Sequence, residues 1–282
     1  MAAIASLSDL VNRMSGGNNG TPETVFAFKV ARAGGVNPST PSLGRMFSYW
    51  TYDGMPAAGA VPTAGAIPTR TTVGALPFTA PGGSRQKWLV NVAAVPTIAG
   101  TLILYDRLYH IGGLSGTLTT DQTVQGSTPS PALTRNAGGV GNHIFYEIYT
   151  QVGSTSRTLT VTYTDQDGNT GQTATINIGA TDFAAQTRVQ RIPLAAGDTG
   201  VRAVEKVALS ASTGTAGNFG ITIGRPLAQI SIGTASSGGW RDFTTGLPGL
   251  PEIDSDACLA MYYTPSSAAV SEMWLTYSMV EA

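Results

Sequence analysis

Glycine and proline interrupt this chain so often that they limit which folds it can adopt. Between them lie short runs rich in Val, Ile, Thr, Tyr and Phe, which favour strands, whereas Gly and Pro break strands and helices alike. The strand candidates are 24–31, 46–52, 87–95, 101–111, 143–152, 157–164, 172–178, 186–194, 201–211, 218–224, 227–232, 257–264 and 271–280. Many short strands with frequent turn signals predict an all-β sandwich or barrel. No internal repeat indicates a solenoid or propeller. Our expectation for the body is a β-sandwich of jelly-roll or related type.

One segment, at about residues 5–15, predicts a short N-terminal helix. Its apolar residues recur at helical spacing: Leu7, Leu10, Val11 and Met14. Ser6 is a suitable N-cap, and Gly16 can end the helix. Because a helix of this length is unstable alone in water, its apolar face must pack on another surface. That surface belongs either to the body of the same chain or to a neighbouring subunit, and the sequence favours neither.

Residues 53–83 are rich in proline and poor in charge. The prolines are Pro56, Pro62, Pro68, Pro77 and Pro81, and Arg70 is the only charged residue after Asp53. Proline at this density blocks helices and central strands, so the segment is an extended arm or a long loop laid over a surface. We expect an arm that contacts a neighbouring subunit. The sequence is therefore divided into 1–83, the helix and arm, and 84–282, the β-sandwich body.

The chain carries few charges for its length of 282 residues. Asp, Glu, Lys and Arg make up 12% of it, about half the roughly 25% of an average domain. Lysine, which commonly keeps surfaces and sheet edges solvated, occurs only at Lys29, Lys87 and Lys206. The net charge of −1 and the lack of Lys/Arg clusters argue against a nucleic-acid partner. We expect neighbouring subunits to cover part of the surface.

Several features bear on the compartment. Cys258 is the only cysteine, so no intrachain disulfide can form, which fits a reducing compartment. The first residues lack the basic start and apolar run of a secretory signal, and no stretch reaches the ~20 apolar residues of a membrane span. We expect synthesis in the cytoplasm and no membrane partner.

The most motif-like stretch is DQDGNTG at 165–171. Oxygen-bearing residues at alternate positions are typical of a calcium loop, but here the sixth position is Thr170 instead of Gly and the twelfth is Ile176 instead of Glu. Asp167-Gly168 between two alternating strands is a strong hairpin signal. We interpret the stretch as a hairpin turn.

The remaining chemistry-bearing residues form no recognisable constellation. His110, His143, Cys258, Asp106 and Glu147 lack metal-ligand or nucleophile–base spacing, and we interpret the histidines as structural. Glu147 is the candidate acid if the chain is a glycan hydrolase. Nucleophile elbow, Walker A and dinucleotide fingerprints are absent from the sequence. We therefore predict that the chain is not an enzyme and has no cofactor or metal site.

Aromatic residues occur in groups that could stack on sugar rings. The groups are Tyr49, Trp50 and Tyr52; Trp240; and Tyr262, Tyr263 and Trp274. Aromatic residues more often fill sandwich cores or subunit interfaces, and this is the role that we expect for them.

Six stretches of the sequence together resemble a group of virion structural proteins of tailed bacteriophages. They are SLSDLVNR at 6–13, GGNNGTPE at 16–23, RQKWL at 85–89, GTLILYDRL at 100–108, GGLSG at 112–116 and PLAAGDTGVR at 193–202. The likeness spans most of the chain and includes no catalytic signature. It implies synthesis in the host cytoplasm and release by lysis.

The resemblance also implies a position in the virion. The main shell protein of such phages has a mixed α/β fold with a long helix, which nothing in this sequence supplies. A capsid decoration (cement) protein on the capsid exterior, binding the major capsid protein, fits best, and a homotrimer is the expected oligomer. The residues expected to contact partners are Leu7, Leu10, Val11, Met14 and Arg70. Two alternatives stay open: a tail, neck or fibre component that binds a receptor or glycan, and a β-sandwich glycan hydrolase.

Overall fold

The structure is a computed structural model that describes residues 4–31, 41–123, 131–180, 183–244 and 249–282. In chain order its elements are α1 (Leu7–Met14), β1 (Thr21–Ala31), β2 (Phe47–Ser48), β3 (Gly54–Met55), β4 (Lys87–Pro96), β5 (Gly100–Leu114), β6 (Gln122–Thr123), β7 (His143–Thr150), β8 (Arg157–Asp165), β9 (Gln172–Ile178), β10 (Val189–Ile192), β11 (Val201–Leu209), β12 (Asn218–Ile232), β13 (Gly239–Asp242), β14 (Glu252–Ile253), β15 (Leu259–Pro265) and β16 (Ser271–Glu281). The strands pair antiparallel, which confirms the all-β class.

The helix α1 forms where the periodicity predicts it. The Ser6 side chain accepts a hydrogen bond of 3.1 Å from the backbone N–H of Asp9, so Ser6 is the N-cap. Asp9 also forms an ion pair of 3.1 Å with Arg13, one turn later. The helix ends before Gly16, whose φ of 84° is readily adopted by glycine.

Three sheets make up the fold. The first sheet has the strand order β13-β4-β16-β1-β3, with β14 also on β4, and its centre is the full-length pairing of β1 with β16. The second has the order β10-β7-β12-β5-β15-β2, and the third has the order β6-β11-β8-β9.

The second sheet closes on itself. Phe47 of β2 forms a bridge with Arg188, immediately before β10. On either side of this bridge, the Ser48 N–H donates to the Thr187 carbonyl at 3.1 Å and the Val189 N–H donates to the Met46 carbonyl at 2.9 Å. The result is a six-stranded antiparallel barrel, which removes the free edges of this sheet.

The barrel lies between the other two sheets and shares a core with each. Its strands β5 and β12, of 15 residues each, are long enough to contribute to both. The core with the first sheet includes Leu89, Leu104, Ile230, Met261 and Leu275. The core with the third sheet includes Ile111, Ile148, Val161, Val207 and Ile221. The sandwich architecture is thus confirmed, and the structure has two sandwiches that share the barrel.

The candidates 218–224 and 227–232 are one continuous strand, β12, and not two. Its pairing with β5 shifts register between Ile223 and Gly224 and again between Pro226 and Ala228. Proline lacks the N–H that a regular ladder needs, so a bulge accommodates Pro226 and the strand continues.

The described part of 1–83 contacts the body of its own chain. β1 lies inside the first sheet, next to β16. Farther along, the Leu76 N–H donates to the Leu259 carbonyl at 2.8 Å, and Trp50 and Phe78 are buried. Apart from the two residues of β3, residues 53–83 therefore form a long loop laid over the body, one of the two predicted alternatives. The division at residue 83 and the contact with a neighbouring subunit stay predictions.

None of the helices in the described ranges is long and apolar enough to cross a membrane.

Candidate assembly interface

The outer face of the first sheet carries large apolar side chains that face away from the core. Cross-strand pairing places Met55 opposite Phe28, Phe28 opposite Trp274, and Trp274 opposite Val95. In the neighbouring row Phe26 and Trp240 lie on the same face. We call the surface formed by Phe26, Phe28, Met55, Val95, Trp240 and Trp274 the apolar face.

Most of this surface is open to solvent. Phe26, Met55 and Trp240 are each 71–73% exposed, and Trp274 is 45% exposed. The rings of Phe28 and Trp274 pack against each other, with centroids 4.9 Å apart. A contiguous patch of this kind on a surface marks an interaction site more often than chance exposure.

Small side chains lie between the bulky ones on the outer face. Thr276 lies opposite Phe26, and Ala93 lies opposite both Thr276 and Trp240. Bulky rings therefore flank a floor of small side chains across four neighbouring strands, which are about 4.8 Å apart. Glu272, two residues before Trp274 on β16 and opposite Val30, places a carboxylate at the border.

The helix α1 covers the far end of the same outer face. Leu10 is buried against Val90 and Val280 of the sheet. Leu7 and Val11, in contrast, are 59% and 57% exposed. Leu7 also lines a cavity of about 420 Å³ beside Trp88. The helix thus docks on its own chain and leaves two apolar side chains within reach of a partner.

The five residues predicted to contact partners are therefore in different environments. Leu10 is used inside the chain, and Met14 packs partly against the same cluster. Leu7 and Val11 are exposed on the helix. Arg70 lies far along the loop, where its N–H donates to the Asp256 carbonyl at 3.3 Å. Partner binding by any of the five stays a prediction.

The outer face of the third sheet is polar. Its outward side chains on β8 and β9 are mainly threonines, and we call this surface the threonine face: Thr158, Thr160, Thr162, Thr164, Thr173 and Thr175. Lys206 lies beside Thr162 and forms an ion pair of 2.6 Å with Asp121. Of the three lysines, Lys29 and Lys87 are buried, so Lys206 is the one at the surface.

The predicted aromatic groups separate into core and surface. Five of them are buried: Tyr49, Trp50, Tyr52, Tyr262 and Tyr263. Trp240 and Trp274 are the exposed members, and both belong to the apolar face.

The barrel interior contains a buried ion pair. Arg107 donates to both carboxylate oxygens of Glu147, at 2.8 and 2.6 Å, and both residues are almost completely buried. Tyr149 and Tyr262 each donate to Glu147 at 2.6 Å. The guanidinium of Arg107 lies 4.8 Å from the ring centre of Trp50. Both carboxylate oxygens of Glu147 are thus hydrogen-bonded by buried donors, as is typical of a satisfied polar core.

The protonation states agree with a structural role for this cluster. Burial alone would raise the pKa of Glu147, but the charge and hydrogen bonds of Arg107 hold it below its ordinary value. A general acid needs the opposite shift and access to its substrate. Burial and the nearby Arg107 lower the pKa of His110 to about 3, so its neutral ring accepts a hydrogen bond of 2.8 Å from Arg107.

Asp106 and the backbone of Cys258 are also engaged, whereas the buried Nδ1 of His143 has no hydrogen-bond partner among the described residues. Asp106 forms an ion pair of 3.0 Å with Arg135 and accepts the Cys258 N–H at 2.8 Å. Burial raises the pKa of Cys258 to about 12, which keeps its thiol protonated. Within the described ranges, no group of three or more His, Cys, Asp or Glu residues could hold a metal ion.

The DQDGNTG stretch connects β8 and β9 as a hairpin, as predicted. Asp165 accepts the N–H groups of Asp167 and Asn169 at 2.8 and 2.9 Å, and the Asn169 side chain at 2.8 Å. Its oxygens therefore stabilise the turn.

The predicted contact residues did not include the apolar face. One signal was present, since Val25, Phe26, Phe28 and Val30 make β1 apolar on both faces. A strand that is apolar on both sides is expected to be covered on both sides. Trp240 gave no such signal, because its strand has only four residues.

Comparison with known proteins identifies neither a family nor a shared fold for this chain. No protein-family model matches the chain, and no curated protein does. Among solved structures, a chain from the Gt strain of infectious bursal disease virus is 9% identical, with a TM-score of 0.19, over 93% of this chain and 81% of that one. The VP2 subviral particle of the same virus gives 9%, 0.19, 93% and 80%. TM-scores below 0.5 do not establish a shared fold, so a function must be argued from the residues of the chain itself.

Proposed function

We propose that this chain is a virion structural protein of a tailed phage, and specifically a decoration (cement) protein that binds the major capsid protein on the capsid exterior. The observation that carries the proposal is the apolar face, an exposed aromatic surface on an otherwise well-packed body. The sequence resemblance to tailed-phage virion proteins supplies the partner.

The apolar face can supply substantial binding energy. Aromatic side chains bury on the order of 150–250 Å² each, and Phe26 and Trp240 keep more than two thirds of their surface exposed. Covering that area contributes roughly 3–4 kcal/mol per side chain, before the costs of association are subtracted. Few such residues at the centre of an interface are enough for a stable contact.

The scarcity of charge supports the same function. Lys29 and Lys87 are buried, so the surface is even less charged than the composition indicates. Such a surface is weakly solvated and weakly self-repelling, which favours attachment to a large assembly. The exposed Leu7 and Val11 of α1 would add a second apolar contact with the shell.

We propose further that the chain has no catalytic activity. Glu147, the candidate acid, has its charge and oxygens saturated by Arg107, Tyr149 and Tyr262. Sugar release by the purified protein, abolished in Glu147→Gln while the fold is retained, would contradict this.

A second candidate is a tail, neck or fibre component that binds a glycan. The exposed Trp240 and Trp274 favour it, because indole rings stack on sugar rings.

Copy number separates the two candidates. Quantitative mass spectrometry of purified virions is expected to find the chain near parity with the major capsid protein. A few copies per particle would contradict a decoration role and favour the tail component.

A further inference from the structure

The free edge of the third sheet is long and unprotected. β9 pairs with β8 along its whole length without a register shift, from Arg157 opposite Ile178 to Tyr163 opposite Gln172. No described strand pairs with its other side. The terminal strands β3, β6, β13 and β14 of the first and third sheets have only two to four residues each, whereas β9 has seven.

Proteins protect exposed edges with charge, proline, bulges or short strands. The sequence of β9, QTATINI, contains no charged residue and no proline. Its pairing with β8 shows no register shift, which excludes a bulge. In contrast, the edge strand β13 places Arg241 and Asp242 within its four residues. Among the described residues, the outer edge of β9 therefore has no strand partner for its backbone groups, and β9 itself carries no charge that would repel another strand.

We propose that β9 pairs antiparallel with β9 of a second copy of this chain, across a two-fold axis near Thr175. Because the third sheet has four strands, two copies would form one continuous sheet of eight. This proposal goes beyond the decoration function, since it concerns a different surface and a different partner.

The side-chain pattern of β9 suits pairing with itself. An axis at Thr175 places Thr173 opposite Asn177 of the second copy on the outer face. It places Ala174 opposite Ile176 of the second copy on the inner face, where both already pack against the core. The alternation of polar and apolar residues is thus kept across the joint.

The absence of charge favours a second copy over an unrelated strand. A two-fold axis brings each central residue close to its own copy, so a charged residue there would meet the same charge. None of residues 172–178 is charged, so self-pairing meets no repulsion. An unrelated partner chosen by opposite charge would find no charge on β9 to recognise.

The test uses opposite charges at the axis, with sedimentation equilibrium as the readout. The wild-type chain is expected to dimerise. Thr175→Lys and Thr175→Glu should each weaken the dimer at least tenfold, and an equal mixture of the two should restore it, because unlike charges then meet. Ala208→Lys is the matched control, since Ala208 lies in the same cross-strand row but two strands in from the edge; it should leave dimerisation unchanged.

The mixture distinguishes weakened pairing from impaired folding. A misfolded chain is not rescued by mixing, so a restored dimer shows that both variants are folded and that repulsion between like charges had weakened the dimer. A wild-type chain that stays monomeric at millimolar concentration would overturn the proposal. A larger oligomer that Thr175→Lys leaves intact, or equal loss in Ala208→Lys, would do the same. Binding of Thr175→Lys to capsid shells is measured separately, so failure of the β9 pairing and failure of the decoration function are distinguishable.

Discussion

The first and third sheets are both antiparallel and both pack on the same barrel, yet their outer faces carry opposite kinds of side chains. Across the first sheet the exposed residues are Phe26, Met55, Trp240 and Trp274. Across the third they are threonines, with Lys206 beside them. Threonine satisfies strand propensity and solvation together, so the threonine face needs no cover. The apolar face satisfies strand propensity alone. Burial in a core explains the apolar inner sides of both sheets, and the proposed contact with a partner would explain the apolar outer side of the first.

Neither outer face is expected to affect stability as much as the ion pair buried in the barrel interior. Breaking that pair should give the largest loss of unfolding free energy. Glu147→Gln should lower the free energy of unfolding by about 3–5 kcal/mol in urea titrations, because Arg107 stays buried without a charged partner. The double variant Arg107→Met with Glu147→Leu should cost less than Glu147→Gln alone. A double variant that is as unstable as the two single variants added together would contradict this account of the pair.

The buried and the exposed sides of α1 should differ in how much they contribute to stability. Leu10→Ala is expected to lower the free energy of unfolding by about 2–3 kcal/mol, since Leu10 packs on Val90 and Val280. Leu7→Ala, on the same helix but exposed, should stay within about 0.5 kcal/mol of wild type. Thermal unfolding checks both. Equal losses would mean that α1 does not dock as described.

Acid should lower the stability that the barrel interior contributes to the fold. The pKa of His110 is about 3 in the folded chain, below the roughly 6.5 of an unfolded histidine. The unfolded state therefore takes up a proton first, and the stability contributed by neutral His110 is present above pH 6.5 and lost as the pH falls. The loss from this residue should be about 2 kcal/mol at pH 5.

His110→Asn is the control for this pH dependence, because its side-chain oxygen can still accept from Arg107 but does not titrate. Its unfolding free energy should fall less steeply between pH 7 and 5, as measured by urea titration. Identical slopes in the two proteins would show that His110 is not the source.

Salt gives the smallest expected effect. Since the apolar face carries no charge of its own, affinity for empty capsid shells should change less than about twofold between low and high salt. Binding isotherms at two ionic strengths measure this. A tenfold decrease at high salt would indicate a contact made by charged residues instead.

The sequence predicts the elements that depend on neighbouring residues, such as the helix and the hairpin. It does not predict the closure of the barrel, which depends on residues far apart in the chain. Ser6, the spacing of Leu7 to Met14, and the Asp167-Gly168 turn specify α1 and the β8–β9 hairpin through neighbours in sequence. The barrel closes through Phe47 and Arg188, which no local pattern relates. Pro226 gives the signal of a strand end, yet a bulge carries β12 past it.

The same limit applies to the candidate interface. Phe26 is exposed because no described element packs over it on the outer side of the first sheet. The sequence of β1 alone does not show which elements will pack there. The sequence of β1 is apolar on both sides of the strand, which indicates that both sides should be covered. It does not indicate that α1 covers only one end of the outer side of the sheet. Trp240 lies on the apolar face because β13 pairs with β4, a contact across more than a hundred residues.

The central claim is that the apolar face, and not the threonine face, binds the capsid shell. Co-sedimentation with empty shells of the major capsid protein tests it directly, using Phe26→Lys and Trp240→Lys against the control Ala208→Lys on the outer side of the third sheet. Each apolar-face variant is expected to bind at least tenfold more weakly, a loss of about 1.4 kcal/mol or more, while the control binds like wild type. Wild-type affinity in Phe26→Lys and Trp240→Lys, or an equal loss in Ala208→Lys, would contradict the claim.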